Sequence, residues 1–197
     1  MSGMEANPAL PVGAIGAQRS SGWWGMVFVV LTEGSLIVYL LFSYAYYAVR
    51  AQESWQPAGL SATAIVSTVV LLCSSASLWW GSKAIERDET RKLQLAILVT
   101  LVLGVTFVGL QAWEVSTETF SASSSVYGSE FFVITLVHVA HAVVGVVALA
   151  ALLLWSSLGM FNAERRSAVA IVALYWHFVV VIWLPVFAAL YLTVYLP

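Results

Sequence analysis

Long apolar runs alternate with short polar connections along almost the whole chain. A helix needs roughly 20 apolar residues to cross a bilayer core, and five runs reach about that length. They are Trp23–Val49, Leu60–Lys83, Leu93–Glu114, Tyr127–Trp155 and Ala168–Leu196. Because lipid offers no partner for backbone N–H and C=O groups, we expect each run to form a helix. The pattern predicts an all-α fold, a polytopic transmembrane bundle of five helices.

The connections and the chain ends refine this architecture. Short connections favour antiparallel packing of helices that follow one another in the chain. Residues 1–22 are rich in Ala, Gly, Pro and Ser, and we expect a flexible cytoplasmic tail. Residues 23–197 would form one five-helix domain. The first apolar run is too long for a signal peptide, so we expect that helix to be retained. In the second helix, the small residues of Cys73–Ser77 should let another helix approach closely.

Composition supports a membrane protein. Hydrophobic residues make up 61% of the 197 residues and charged residues 9%, with a mean hydropathy of +0.91. Soluble domains carry about 25% charged residues. The net charge of -2 argues against nucleic acid as a partner. The single Cys73 excludes an internal disulfide and a Cys-rich metal site.

Lysine and arginine predict the orientation. If the N-terminus is cytoplasmic, Arg50 is the one basic residue outside, and the other seven lie inside. Those seven are Arg19, Lys83, Arg87, Arg91, Lys92, Arg165 and Arg166. The positive-inside rule therefore predicts a cytoplasmic N-terminus and an external C-terminus.

Four ionisable residues lie deep within the apolar runs. Counting about 1.5 Å per residue from the helix ends places Glu33, His138 and His177 near mid-bilayer. His141 is one turn beyond His138, so we expect it on the same face. An ionisable group at this depth costs several kcal/mol unless it is paired, neutral or hydrated. The pattern predicts a shared polar site, which is either a proton- or lipid-handling site or a clasp that fixes helix packing.

Two further carboxylates lie near the outer helix ends. We expect Glu130 in the first turn of helix 4, where a carboxylate suits the helix dipole. Glu114 closes helix 3, and we expect it to bond the next loop or a neighbouring subunit. These two are secondary polar sites.

The sequence offers little for metal or covalent chemistry. One histidine of helix 4 with His177 would supply a bis-histidine haem site, so a stand-alone membrane cytochrome is an alternative. Three histidines in total do not make a copper or iron constellation. No nucleophile–base triad, Gly-rich phosphate loop or zinc motif is present in the sequence. We expect no catalytic residue and no metal ligand.

Four motifs together resemble a known family. They are "VLTEGSLI" around Glu33, "GVTFVGLQAWE" ending at Glu114, "VYGSEFFVITLVHVAH" ending at His141, and "YWHFVVVIWL" around His177. In this order the chain after Gly22 resembles subunit III of the haem–copper oxidases, in its five-helix bacterial form. It departs from the family pattern at four positions: Ala112 replaces an aromatic residue, Glu130 is an extra carboxylate, Val139 replaces a Gly, and Val180 replaces an Asp.

The resemblance implies a non-catalytic subunit of a cytochrome c oxidase-type complex in the bacterial inner membrane, serving aerobic respiratory electron transport. Haems and copper would then lie in partner subunits I and II, and this chain would hold no cofactor apart from bound phospholipid. It would stabilise subunit I and support proton uptake, with Glu33 paired to His138 or His141 beside lipid. The departures leave room for a related protein associated with a nitric oxide reductase or a quinol oxidase.

Overall fold

The structure is a computed structural model that describes residues 21–50, 55, 59–162 and 166–195. Across these ranges the chain is helical, with no strand. The helices are α1 (Ser21–Arg50), α2 (Ala62–Ile85), α3 (Thr90–Thr117), α4 (Val126–Ser157) and α5 (Ser167–Phe187), and α5 continues as a π-helical turn (Ala188–Leu192) and a 3₁₀ turn (Thr193–Tyr195). All five are long and apolar enough to cross a membrane. The predicted five-helix membrane bundle is confirmed, and the chain is a multi-pass membrane protein.

The tail prediction falls mostly outside this description. Residues 1–20, including Arg19, lie outside the described residues, as does Arg165. The last two residues assigned to the tail, Ser21 and Gly22, already belong to α1. Helix ends commonly shift by one or two residues from a composition-based boundary.

Side-chain caps define where two of the helices begin. The Ser61 hydroxyl accepts a hydrogen bond from the Ala64 N–H at 2.9 Å, and the Ser125 hydroxyl accepts one from the Gly128 N–H at 3.0 Å. Such caps satisfy N–H groups that the first helical turn leaves unpaired. A tight turn joins α2 to α3, with Asp88 in the left-handed region at φ 57°, a conformation that Asp tolerates better than most residues.

The α2–α3 hairpin is the most closely packed helix pair. The Ser77 hydroxyl donates to the Ala96 carbonyl at 3.2 Å, and the Thr100 hydroxyl donates to the Ser74 carbonyl at 3.3 Å. These contacts lie at the small-residue run Cys73–Ser77, where the sequence predicted a close approach. α3 then packs on α4, α4 on α5, and α5 also on α2.

α1 lies at the edge of the bundle and packs on α4 and α5 rather than on α2. The prediction that sequential helices are neighbours is therefore wrong for the first pair. The connection of residues 51–61 is longer than the α2–α3 turn, so it permits this separation. In the most apolar 18-residue stretch of α1 only 6% of the residues are buried, compared with 50% in the corresponding stretch of the last helix. α5 is thus the central helix and α1 the most exposed.

Trp176 of α5 forms the centre of the core. Its ring is 0% exposed and lies against two glycines, Gly104 of α3 and Gly145 of α4. A Cβ at Gly104 would stand 2.7 Å from the ring, and one at Gly145 would stand 2.6 Å from it. The indole N–H donates to the Ser74 hydroxyl at 3.0 Å. One side chain therefore joins four helices.

Candidate functional site

Glu33 and His141 meet between α1 and α4. The Nε2 atom of His141 lies 2.9 Å from Oε2 of Glu33. The imidazole side chain is 12% exposed and the carboxyl side chain is 38% exposed. The two residues are 108 positions apart in the chain, so the contact is a long-range link between the edge helix and the bundle.

The second nitrogen of His141 determines how protons are distributed in this pair. Its Nδ1 atom lies 2.6 Å from the carbonyl oxygen of Val137. A carbonyl can only accept a hydrogen bond, so Nδ1 carries a proton. The contact between Nε2 and Glu33 then holds one further proton. The pair is either an imidazolium with a carboxylate or a neutral imidazole accepting from a protonated carboxyl.

An open groove of about 270 Å³ lies beside the pair. Its remaining lining comes from Val29, Ala140, Val144 and Tyr175. Val29 and Val144 are 42% and 58% exposed, so the groove opens onto the outer surface of the bundle. The Tyr175 hydroxyl donates to the His141 carbonyl at 3.2 Å and ties this turn of α4 to α5. A titratable pair thus lines a groove that is otherwise almost entirely apolar.

His138 does not join the pair. Its imidazole is 0% exposed and packs between the rings of Phe107 and Trp183, with centroid distances of 5.7 and 4.7 Å. Neither ring nitrogen has a hydrogen-bond partner among the described residues. The expectation that His138 and His141 share a face does not hold, because residues three apart differ by about 60° around a helix. That angle directs His138 to the core and His141 to α1.

His177 also has a separate partner. Its Nδ1 atom lies 2.7 Å from the Ser75 hydroxyl on α2. The same two helices share a further contact where the Trp183 indole donates to the Thr68 hydroxyl at 2.9 Å. Sequence reasoning missed these α2 hydroxyls. The two tryptophans are seven positions apart and contact hydroxyls six positions apart on α2, but α2 carries too many hydroxyls for this spacing to select them.

Glu114 lies in a buried polar cluster near the start of α2. It is 4% exposed and accepts hydrogen bonds from Ser61 at 2.5 Å and from the Gln111 amide at 3.3 Å. Gln111 also donates to the Ser67 hydroxyl at 3.1 Å. Just beyond the helix end, burial and then the charge of Glu114 raise the pKa of Glu118. The cluster fastens the start of α2 to the end of α3.

Glu130 differs from its expected role. α4 begins at Val126 and has no acidic residue in its first turn, so Glu130 is too far along the helix for the dipole assignment. It instead accepts a hydrogen bond from the Ser43 hydroxyl of α1 at 2.7 Å. This contact and the Glu33–His141 pair attach α1 to α4 at two levels.

No metal cluster is present within residues 21–50, 59–162 and 166–195, where no group of three His, Cys, Asp or Glu side chains is placed to hold an ion. The position at which the resembled family has an Asp is occupied by Val180, which is 3% exposed in the apolar core.

Comparison with known proteins agrees with the motifs. The family model for cytochrome c oxidase subunit III matches residues 16–196. Cytochrome c oxidase subunit 3 of Thermostichus vulcanus is 32% identical over 172 residues, which cover 84% of this chain and 85% of that protein. The subunit 3 of Tachyglossus aculeatus aculeatus is 31% identical over 179 residues, covering 85% of this chain and 68% of that protein. The chain therefore belongs to the cytochrome c oxidase subunit III family, the non-catalytic third subunit of haem–copper oxidases.

Proposed function

We propose that this chain binds subunit I of an oxidase that also contains subunit II, in the bacterial inner membrane, with its N-terminus cytoplasmic and its C-terminus outside. The distribution of charge supports the orientation. Lys83, Arg87 and Lys92 lie at the α2–α3 turn, and Arg166 at the start of α5 is ion-paired to Glu86 in the same place. Arg50 lies at the opposite end, in the last turn of α1.

The exposed face of α1 supports a subunit contact. It carries large apolar side chains that the bundle leaves uncovered: Trp24, Phe28, Leu31, Val38, Tyr39, Phe42 and Tyr46 are 46–68% exposed. Within a membrane such a face meets either lipid or another helix. Aromatic residues at this density are typical of the buried centres of protein interfaces. We place subunit I on this face.

The Glu33–His141 pair is the observation that carries the functional proposal. It would hold an exchangeable proton near the middle of α1 and α4, next to a largely apolar groove of about 270 Å³. Releasing this proton leaves a carboxylate beside a neutral imidazole, so a second proton must arrive as the first one leaves if no net charge is to remain in lipid. We propose that phospholipid occupies the groove and that the pair supports proton uptake by subunit I.

Two substitutions of Glu33 separate proton handling from a packing clasp. Glu33→Gln keeps a side chain that can hydrogen-bond to His141 but removes the acidic proton, whereas Glu33→Ala removes both. If the pair handles protons, both variants of the purified oxidase should keep their haem content and lose activity faster during sustained turnover. Glu33→Ala should also retain less phospholipid. If only Glu33→Ala is impaired, the pair is a clasp.

Glu130→Gln is the matched control, because it too removes a carboxyl that links α4 to α1 while leaving an acceptor for Ser43. It should match the wild type in durability and lipid content. The proposal is overturned if Glu33→Ala also matches the wild type in both measurements.

Val180 in place of an Asp gives one reason to test the identity of the complex. The electron donor and the acceptor, oxygen or nitric oxide, are set by the partner subunits. Purifying the complex through this chain and identifying the co-purified subunits distinguishes a cytochrome c oxidase from a quinol oxidase or a nitric oxide reductase.

A further inference from the structure

A second groove lies at the α2–α3 turn, far along the bundle from the Arg50 end. It encloses about 370 Å³ and is lined by Trp79, Trp80, Lys83, Ala84, Glu86, Arg87, Glu89 and Lys92. Its chemistry differs from that of the groove beside Glu33, because charged side chains form much of its wall.

The lining carries an excess of positive charge. Glu86 is ion-paired with Arg166 at 2.7 Å and more loosely with Lys83 at 3.5 Å. Burial opposes its ionisation, but the Arg166 hydrogen bond and the nearby Lys83 and Arg166 charges outweigh burial and lower the pKa of Glu86. Glu89 is ion-paired with Lys92 at 2.8 Å. Arg87 forms no ion pair with any residue that the structure describes.

The two tryptophans place this groove at the membrane surface. Trp79 and Trp80 are 59% and 45% exposed at the end of an apolar helix. Exposed tryptophans at helix ends are typical of the headgroup level of a bilayer. The turn itself is held in a fixed shape, since the N–H groups of Arg87 and Glu89 donate to the Ala84 carbonyl at 3.0 and 3.1 Å. Arg87 is thereby presented beside the tryptophans.

Apolar strips run from the groove into the membrane span along both helices. On α2 these exposed side chains include Val69, Leu72 and Cys73, and on α3 they include Leu95, Leu98 and Val102. Cations, interfacial aromatics and two apolar strips are together what a phospholipid with an anionic headgroup requires. A soluble anion would use the cations and leave the strips unused.

We infer that this groove binds an anionic phospholipid, with its phosphodiester beside Arg87, Lys83 and Lys92 and its acyl chains along α2 and α3. The site is separate from the lipid proposed beside Glu33. Its assignment to the cytoplasmic leaflet rests on the orientation proposed above, but the binding itself does not.

Removing one cation from the groove tests the inference. Purified oxidase carrying Arg87→Gln is titrated with phosphatidylglycerol, and bound lipid is counted by native mass spectrometry. One basic residue near an anionic headgroup is worth about a fivefold change in affinity, so binding should weaken about fivefold. Arg87→Lys should restore most of it. Arg91→Gln is the matched control. Arg91 is exposed in the first turn of α3, next to Lys92, but does not line the groove.

Three further arms identify the ligand class. Phosphatidylcholine should bind more weakly and respond little to Arg87→Gln, and inorganic phosphate at equal concentration should not displace phosphatidylglycerol. Equal loss in Arg87→Gln and Arg91→Gln, or displacement by phosphate alone, would overturn the inference. The inference would also be overturned if Arg87→Gln left lipid binding unchanged but caused the loss of another oxidase subunit. That result would mean that Arg87 contacts a protein. Because Glu33 is intact in every variant, failure here leaves the function proposed for the Glu33–His141 pair untouched.

Discussion

Gly104 provides a sharp test of the packing around Trp176. In Gly104→Ala the new Cβ would stand 2.7 Å from Cη2 of the ring, 3.1 Å from Cζ2, and 3.1 Å from a methyl carbon of Val146. Ordinary carbon–carbon contacts are about 3.5–4.0 Å, so the closest approach is roughly 1 Å too short. The ring is fully buried and its N–H is fixed to Ser74, so it cannot move away freely.

The structure sets the expected magnitude. Overpacking a core typically costs about 1–3 kcal/mol. A shift of the ring also weakens the bond to Ser74, and a hydrogen bond contributes about 1 kcal/mol. We therefore expect Gly104→Ala to lower the free energy of unfolding by about 2–3 kcal/mol. Gly109→Ala on the same helix meets no atom within 4 Å and should range from neutral to about 1 kcal/mol stabilising.

The measurement is unfolding of the purified chain in mixed micelles by increasing denaturing detergent, followed by circular dichroism. Trp176→Phe supplies a second test, since Phe lacks the ring atoms that approach Gly104. The loss of unfolding free energy in the double variant should be at least about 1 kcal/mol smaller than the sum of the losses in the two single variants. Equal stability of Gly104→Ala and Gly109→Ala, or strict additivity in the double variant, would refute the packing argument.

Two other predictions use polar contacts. Ser75→Ala removes the partner of His177 and should cost about 1–3 kcal/mol in the same titration, whereas Ser157→Ala, which loses only an exposed bond within its own helix, should be neutral. Glu118→Gln should raise the temperature at which the subunit unfolds at pH 7. A raised carboxyl pKa means that protonation stabilises the fold, so stability falls as pH rises through the folded pKa. The two proteins should unfold at equal temperatures well below the ordinary carboxyl pKa of 4.5, and a difference that persists there would contradict the assignment.

Hydropathy was sufficient to predict the number and type of the helices. The bilayer thickness fixes the length of each span, and the lack of hydrogen-bond partners in lipid requires each span to be helical. It could not predict which helices touch. In lipid every face of a helix is apolar, so the pattern does not mark the buried side of α1. The contacts of α1 with α4 and α5 depend on three-dimensional packing and on a connection, residues 51–61, whose length alone permits several arrangements.

The candidate site was predictable in part. Depth counting placed Glu33 and the histidines at one level, and the structure brings Glu33 to His141. The same counting could not separate His138 from His141, because a difference of about 60° around a helix decides which neighbour each imidazole meets. The partner of His177 is a serine, and a single hydroxyl among the many in this chain carries too weak a signal to be chosen from the sequence.

The edge position of α1 has a consequence for how the protein is made. α1 is synthesised before α4, and the histidine that pairs with Glu33 follows it by 108 residues. At a translation rate of roughly 5–20 residues per second, that interval lasts about 5–20 s. The acceptor for Ser43, Glu130, also lies 87 residues ahead. Throughout this time the nascent α1 holds an unpartnered carboxyl in the membrane. Until α4 arrives, that carboxyl must be protonated, hydrated or held by a transient protein contact.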